Sequence, residues 1–198
     1  MRLLRRCGGC ERRKTWLREQ WAKAERWLVK RLLGKQYLIR IGVEEGSGLY
    51  LEGTLARRII RADGQIEELP LLHNTITDAA ADALANDFFD ASVDVTAFDF
   101  HHWGTGVCTI PPACTATAMV TPGSEARVAG TASKPAVRQY RTVGTITADG
   151  AKTITEWSLW NLAAAGIAWS IRCFTGIPLA LGDAIEFTYT LTVACVTG

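Results

Sequence analysis

Ile185-Glu186-Phe187-Thr188-Tyr189-Thr190-Leu191-Thr192-Val193 alternates throughout: its odd positions are apolar, its even positions Thr or Glu. A period of two marks a strand with one face in the core and one in solvent, so the stretch reads as a half-buried antiparallel strand. The surrounding composition agrees. From about Val93 to Thr197 the chain is rich in Thr, Val, Ile, Ala and Gly and shows no long helical period. Residues 143–147 and 152–157 are expected to pair as a hairpin across Ala148-Asp149-Gly150-Ala151, because Asp-Gly suits a tight hairpin turn. Residues 167–175 and 184–196 are expected to pair in the same way across Leu181-Gly182-Asp183. Short strands at regular spacing point to a sandwich.

Upstream, residues 37–43 and 49–55 read as strands around a turn at 44–48, with 57–61 extending or following the second, and Asp63-Gly64 is a further turn signal. Residues 77–89 read as a short helix. Thr77 or Asn74 can cap it, Asp78 suits its positive end, and Ala80, Leu84 and Phe88 form its apolar stripe. The expected fold class is mainly β with helices (α+β): a C-terminal antiparallel β-sandwich preceded by a short β-meander, an N-terminal basic amphipathic helix and one further short helix. The expected division is 1–35, a basic helical assembly segment; 36–92, a small β-meander plus short helix; and 93–198, the β-sandwich.

The 198 residues carry a net charge of +2, which hides a strong asymmetry. Residues 1–40 hold 13 Lys+Arg against 3 Asp+Glu, whereas residues 41–198 hold 9 against 17. A basic head on an acidic body points to an anionic partner for the head. Residues 11–33 read as one helix, with Leu17, Trp21, Ala24, Leu28 and Leu32 at helical spacing and basic residues elsewhere. Its tryptophans can pack on the chain's own body or on a sister subunit. They can also grip a partner together with arginine, since both residues are enriched at interface hot spots. Arg12, Arg13, Trp16, Trp21, Arg26, Trp27 and Arg31 are therefore the candidate partner-binding residues. The partner could also be nucleic acid through residues 1–40, because alternating Arg and Trp suits single strands, where charge follows the backbone and rings stack on bases. Lys and Arg opposite Trp and Leu is also the pattern of a helix lying on a membrane surface, a third reading, but no membrane partner is expected. No run approaches about 18 apolar residues, so no membrane-spanning helix is expected, and residues 1–7 lack the apolar region of a secretory leader.

Six cysteines are many for a chain with no complete metal or redox pattern. Cys7-Gly8-Gly9-Cys10 has the spacing of half a zinc site, a redox pair or halves of two disulfides. Cys108 and Cys114 flank Pro111-Pro112 and are the expected intrachain pair, with Cys7 and Cys10 as candidates for cross-links between chains; free structural thiols are the simpler reading of all six. His101-His102 reads as two rings on opposite faces of an extended segment rather than as a ligand pair. No Gly-x-Ser-x-Gly, His-Glu-x-x-His or phosphate-cradling glycine loop occurs. No catalytic residue, cofactor or metal is therefore assigned, and the chain is expected not to be an enzyme.

Three segments, residues 139–147, 154–160 and 182–193, together with His102-Trp103-Gly104-Thr105-Gly106 and Thr121-Pro122, resemble a domain that recurs in tail-fibre-like and head-associated virion proteins of tailed bacteriophages. The resemblance covers about residues 98–196. Ser158 stands where that pattern has Gly, and the basic helix and the cysteines are outside it. It implies a structural component of the virion, assembled in the host cytoplasm. Other virion proteins would be its partners, and copies would form a homo-oligomer, trimers being common among fibres and decorations.

Overall fold

The computed structural model describes residues 47–89, 98–108 and 115–197. The expected basic helix, and with it the segment 1–35 and the strand at 37–43, lies outside the described residues. Nine strands follow in chain order: β1 (Ser47–Ile60), β2 (Ile66–Ile76), β3 (Phe100–Gly104), β4 (Val128–Ala129), β5 (Thr131–Ser133), β6 (Gln139–Thr147), β7 (Lys152–Trp160), β8 (Ala168–Leu179) and β9 (Ala184–Thr197). One helix, α1 (Asp78–Phe89), lies between β2 and β3. The strands form two antiparallel sheets, β2-β1-β9-β6-β5 and β4-β3-β7-β8. β2 and β8 meet at two residue pairs, so the strands run in one joined order whose two ends, β4 and β5, are very short strands, which limits the backbone left open there to stray pairing. Among the described residues no helix is long and apolar enough to cross a membrane.

β9 behaves as its alternation demands. Ile185, Phe187 and Tyr189 are fully buried, while Glu186, Thr188 and Thr190 on the other face are only partly covered. β1 pairs with β9 over all fourteen residues, with Leu55 opposite Tyr189, Arg57 opposite Phe187 and Ile59 opposite Ile185. Directly opposed residues of an antiparallel pair share a face, so the odd positions of β1 are driven inward as well. β1 and β2 form a hairpin turned by Asp63-Gly64: the Gly64 N–H donates to the Arg61 carbonyl at 2.8 Å, and Gly64 sits at φ 85°, a conformation that favours glycine.

The two hairpins expected further on do not form. β6 pairs with β9 and β5, and β7 pairs with β3 and β8, so residues 148–151 carry the chain from one sheet to the other. The same holds for β8 and β9 across residues 180–183. The reason lies in burial. Ile146 and Ile154, on either side of Asp149-Gly150, are both fully buried, and facing sheets can bury both against one another. Neither Asp149 nor Gly150 takes the positive φ that a tight Asp-Gly hairpin turn requires. The two arches are tied together instead. The Ala148 N–H donates to the Asp183 carbonyl at 2.8 Å, and the Gly182 N–H donates to the Ala148 carbonyl at 3.0 Å.

β1 lies between β2 and β9, and Leu51, Leu55 and Ile59 lie in one core cluster with Phe187 and Tyr189, so the described residues of 36–92 and of 93–198 share a core. β2 itself is not evident in the sequence, because Pro70 interrupts it. It is accommodated at a bulge where the β1–β2 register shifts between Leu55 and Arg57. Helix α1 begins where Thr77 caps it, its hydroxyl oxygen accepting the Ala80 N–H at 3.1 Å, and Ala80 packs into the core. Asn74, the other candidate cap, is buried in β2 instead.

The centre of the core is aromatic. Trp157 of β7 lies 6.1 Å from Phe187 and 5.8 Å from Tyr189, centroid to centroid, and the Tyr189 hydroxyl accepts the Trp169 indole N–H at 2.8 Å. His101 of β3 reaches across to β6, where a Cβ on Gly144 would stand 2.5 Å from its ring. Glycine is thus required at 144 by close approach rather than by a turn. Replacing Phe187 with Ala is expected to cost about 3–5 kcal/mol. Thr188→Ala on the opposite face should cost well under about 1 kcal/mol. Urea melts of both variants check the register, and a reversed ranking would place the wrong face inward.

Candidate functional site

Most of the site residues read from the sequence, namely Arg12, Arg13, Trp16, Trp21, Arg26, Trp27, Arg31, Cys7, Cys10 and Cys114, lie outside the described residues. Cys108 is described, and its partner is not Cys114. It is bonded to Cys173 of β8, with Cα atoms 6.1 Å apart and a sequence separation of 65. The pairing follows from strand order. Glu156 of β7 is opposite both Gly104 of β3 and Cys173 of β8, so the chain leaving β3 runs near β8 after only four residues. A loop of that size removes more entropy from the unfolded chain than a six-residue loop would, about 4 kcal/mol in the entropic description.

Two polar clusters fasten the segment 115–125 over β3 and β7. The fully buried Glu156 carboxylate accepts the backbone N–H of Val120 at 2.7 Å and of Thr121 at 3.2 Å. The second centres on Glu125, which accepts the Trp103 indole N–H at 2.7 Å and pairs with Lys152. Burial alone would raise the Glu125 carboxyl, but the Lys152 and Trp103 hydrogen bonds outweigh it and hold the group at about 2. At the same end of the strands, Asp183 accepts the backbone N–H groups of Ala180 and Ala62, each at 3.0 Å, and a hydrogen bond from Arg61 at 2.9 Å. These contacts, led by the Ala180 N–H, hold its carboxyl below the ordinary range.

The adjacent histidines separate as an extended segment requires. His102 meets the Glu125 carbonyl at 2.9 Å, whereas His101 is fully buried. The Trp157 indole N–H donates to His101 Nδ1 at 3.2 Å, so Nδ1 must be the acceptor, and Nε2 carries the proton towards the Thr142 hydroxyl at 3.2 Å. Burial pushes this imidazole down to about 3. These groups are internal ties rather than a site open to a ligand.

The open feature lies on the other side of the sandwich. β2 and β8 pair only through Thr75 with Ile171 and Ile76 with Ser170, and then diverge. Between them is a cleft of about 500 Å³, walled by Ile59, Leu69, Leu72, Phe174 and Ile177 and carrying Arg57 and Arg172. Arg57 is 5% exposed, with its guanidinium 4.6 Å from the Phe174 ring centroid and Nη2 donating to the Pro70 carbonyl at 3.0 Å. The sequence reading treated residues 57–61 only as strand continuation. The overlooked signal was arginine at the inward phase of an alternating strand, in step with Leu51, Leu55 and Ile59.

Comparison with protein-family models, with curated proteins and with solved structures found no match to this chain.

Two stability measurements follow. Reduction, or Cys108→Ser combined with Cys173→Ala, should lower unfolding stability by about 4 kcal/mol; a denaturation midpoint that ignores reductant would exclude that contribution. Because His101 is held neutral in the fold while the unfolded imidazole titrates near 6.5, the unfolded chain binds the extra proton below that pH. Stability should therefore fall as pH drops from 6.5 towards about 3, by up to about 1.4 kcal/mol per pH unit from this group. His101→Gln should flatten the slope by that amount, and parallel slopes for the two proteins would show that His101 is not responsible.

Proposed function

We propose that the chain is a non-enzymatic structural component of a tailed-phage particle, docking through its basic N-terminal segment and presenting the β-sandwich, with copies assembled as a homo-oligomer. The observation that carries this reading is the polarity of the fold. The full-length β1–β9 pairing sets Ser47 beside Thr197, so the chain coming from the basic segment enters at one end of the sandwich. The loops 61–65, 148–151 and 180–183 lie at the opposite end, drawn together by Asp183 and Ala148. Such a module is attached at one end and exposed at the other.

The segments that resemble virion domains support the reading in a second way. Residues 139–147 are β6 as a whole, 154–160 lie in β7, and 182–193 are the Gly182 turn and most of β9. The resemblance therefore falls on central strands of the core. The charge of residues 1–40 favours one rival, a structural protein that holds nucleic acid on its Arg- and Trp-rich segment.

Deleting residues 1–33 separates the two readings. The truncated chain should melt like the β-unit of the full chain but fail to enter particles, with occupancy measured on purified particles by quantitative gel. Incorporation at normal occupancy would remove the docking role. Retention of the full chain on single-stranded DNA, steeply weakened by salt and lost on truncation, would favour the rival.

A further inference from the structure

We infer that the cleft between β2 and β8 is a binding site for a small amphiphilic oxyanion, a carboxylate or phosphate monoester on an apolar body, received by Arg57 and Arg172. The inference is independent of the virion reading and starts from an imbalance of charge. Arg57 is nine-tenths buried, and its Nε has no hydrogen-bond partner. Arg172, partly buried on the facing strand, has an Nε that is also buried and unpartnered. Among the described residues no carboxylate pairs with either guanidinium. The carboxylate among the lining residues, Glu67, is engaged by Arg61 at 3.3 Å, and Arg61 is in turn held by Asp183.

Burying one cation without a counter-charge is costly, and bringing a second beside it costs more. The two act on one another: burial first, and Arg172 second, lower the Arg57 guanidinium to about 10. An anion entering the cleft would reverse both effects at once. The guanidinium fork matches the planar carboxylate and the phosphate in two-point hydrogen bonds, and neither arginine has an Nε partner in the protein to give up. The apolar part of the wall, with Phe174, Leu69 and Ile177, suits an apolar body.

The cleft is also a product of the fold rather than a packing accident. The β1–β2 register shifts between Leu55 and Arg57, and the β7–β8 register shifts between Ile154 and Glu156, opposite residues 173–177. Bulges therefore flank the space on both sheets, and bulges commonly redirect side chains at sites.

The test is calorimetric titration of the full chain with octanoate and with octyl phosphate, each below its micelle concentration, against 1-octanol. Saturable binding of either anion, with none of the alcohol, is expected. Arg57→Met and Arg172→Gln should each weaken it roughly tenfold or more, the scale of losing a charge-assisted hydrogen bond. Without ligand, Arg172→Gln should not melt below the parent, because it relieves an unpaired charge; an arginine that merely braced the fold would do the opposite. Should Arg57→Met not fold, Arg172→Gln at the less buried position decides alone. Equal binding of the alcohol, undiminished binding in the folded variants, or no saturable binding of either anion would overturn the inference.

Discussion

The register of β1 on β9 is the constraint on which the rest of the molecule depends. Fourteen consecutive pairs fix which residues of β1 face inward, and a slip of one would turn every one of them to the other side. In the observed register Leu55, Ile59, Phe187 and Tyr189 all meet the opposite sheet. The same register leaves Arg57 no choice. It lies opposite Phe187 and shares its inward face, so the strand that completes the core also buries a cation. The fold tolerates this because the bulge at Pro70 exposes a carbonyl to the guanidinium and because Phe174 offers its ring face.

The opposite side of the sandwich meets the same problem with a different solution. There three buried polar groups find partners: Glu156 in two backbone N–H groups, Glu125 in Trp103 and Lys152, and His101 in Trp157 and Thr142. Each of those ties joins segments that are distant in sequence, and the Cys108–Cys173 bond adds a covalent one. Polar burial with complete partners rigidifies a structure, whereas polar burial with missing partners leaves affinity for something else. What sets the cleft apart is that two of its unpartnered buried atoms belong to cations, Arg57 and Arg172, lining one space.

Much of the local structure was legible from the sequence. The inward face of β9, the Asp63-Gly64 turn and the Thr77 cap each depend on residues within a few positions of one another, and local chemistry decides them. β2 was hidden by Pro70, which ordinarily argues against a strand and is admitted here where β2 has only β1 beside it and the β1–β2 register shifts. The Arg57–Arg172 cleft was partly visible, because arginine in phase with Leu55 and Ile59 is a local anomaly. Nothing local indicates that Arg172, 115 positions later, faces the same space.

The sequence by itself determined that this chain builds antiparallel, half-buried strands, because alternation of apolar and polar side chains is a property of neighbouring residues. It also determined the separation of a strongly basic first forty residues from an acidic remainder. Only the tertiary structure decided which strands are partners. Asp149-Gly150 and Gly182-Asp183 read as hairpin turns, yet both pass the chain between sheets, since the apolar faces on either side are best buried against each other. The same long-range choice joined Cys108 to Cys173 rather than to its near neighbour. Pairing is settled by the total area that two sheets can bury together, and that quantity belongs to no single stretch of the chain.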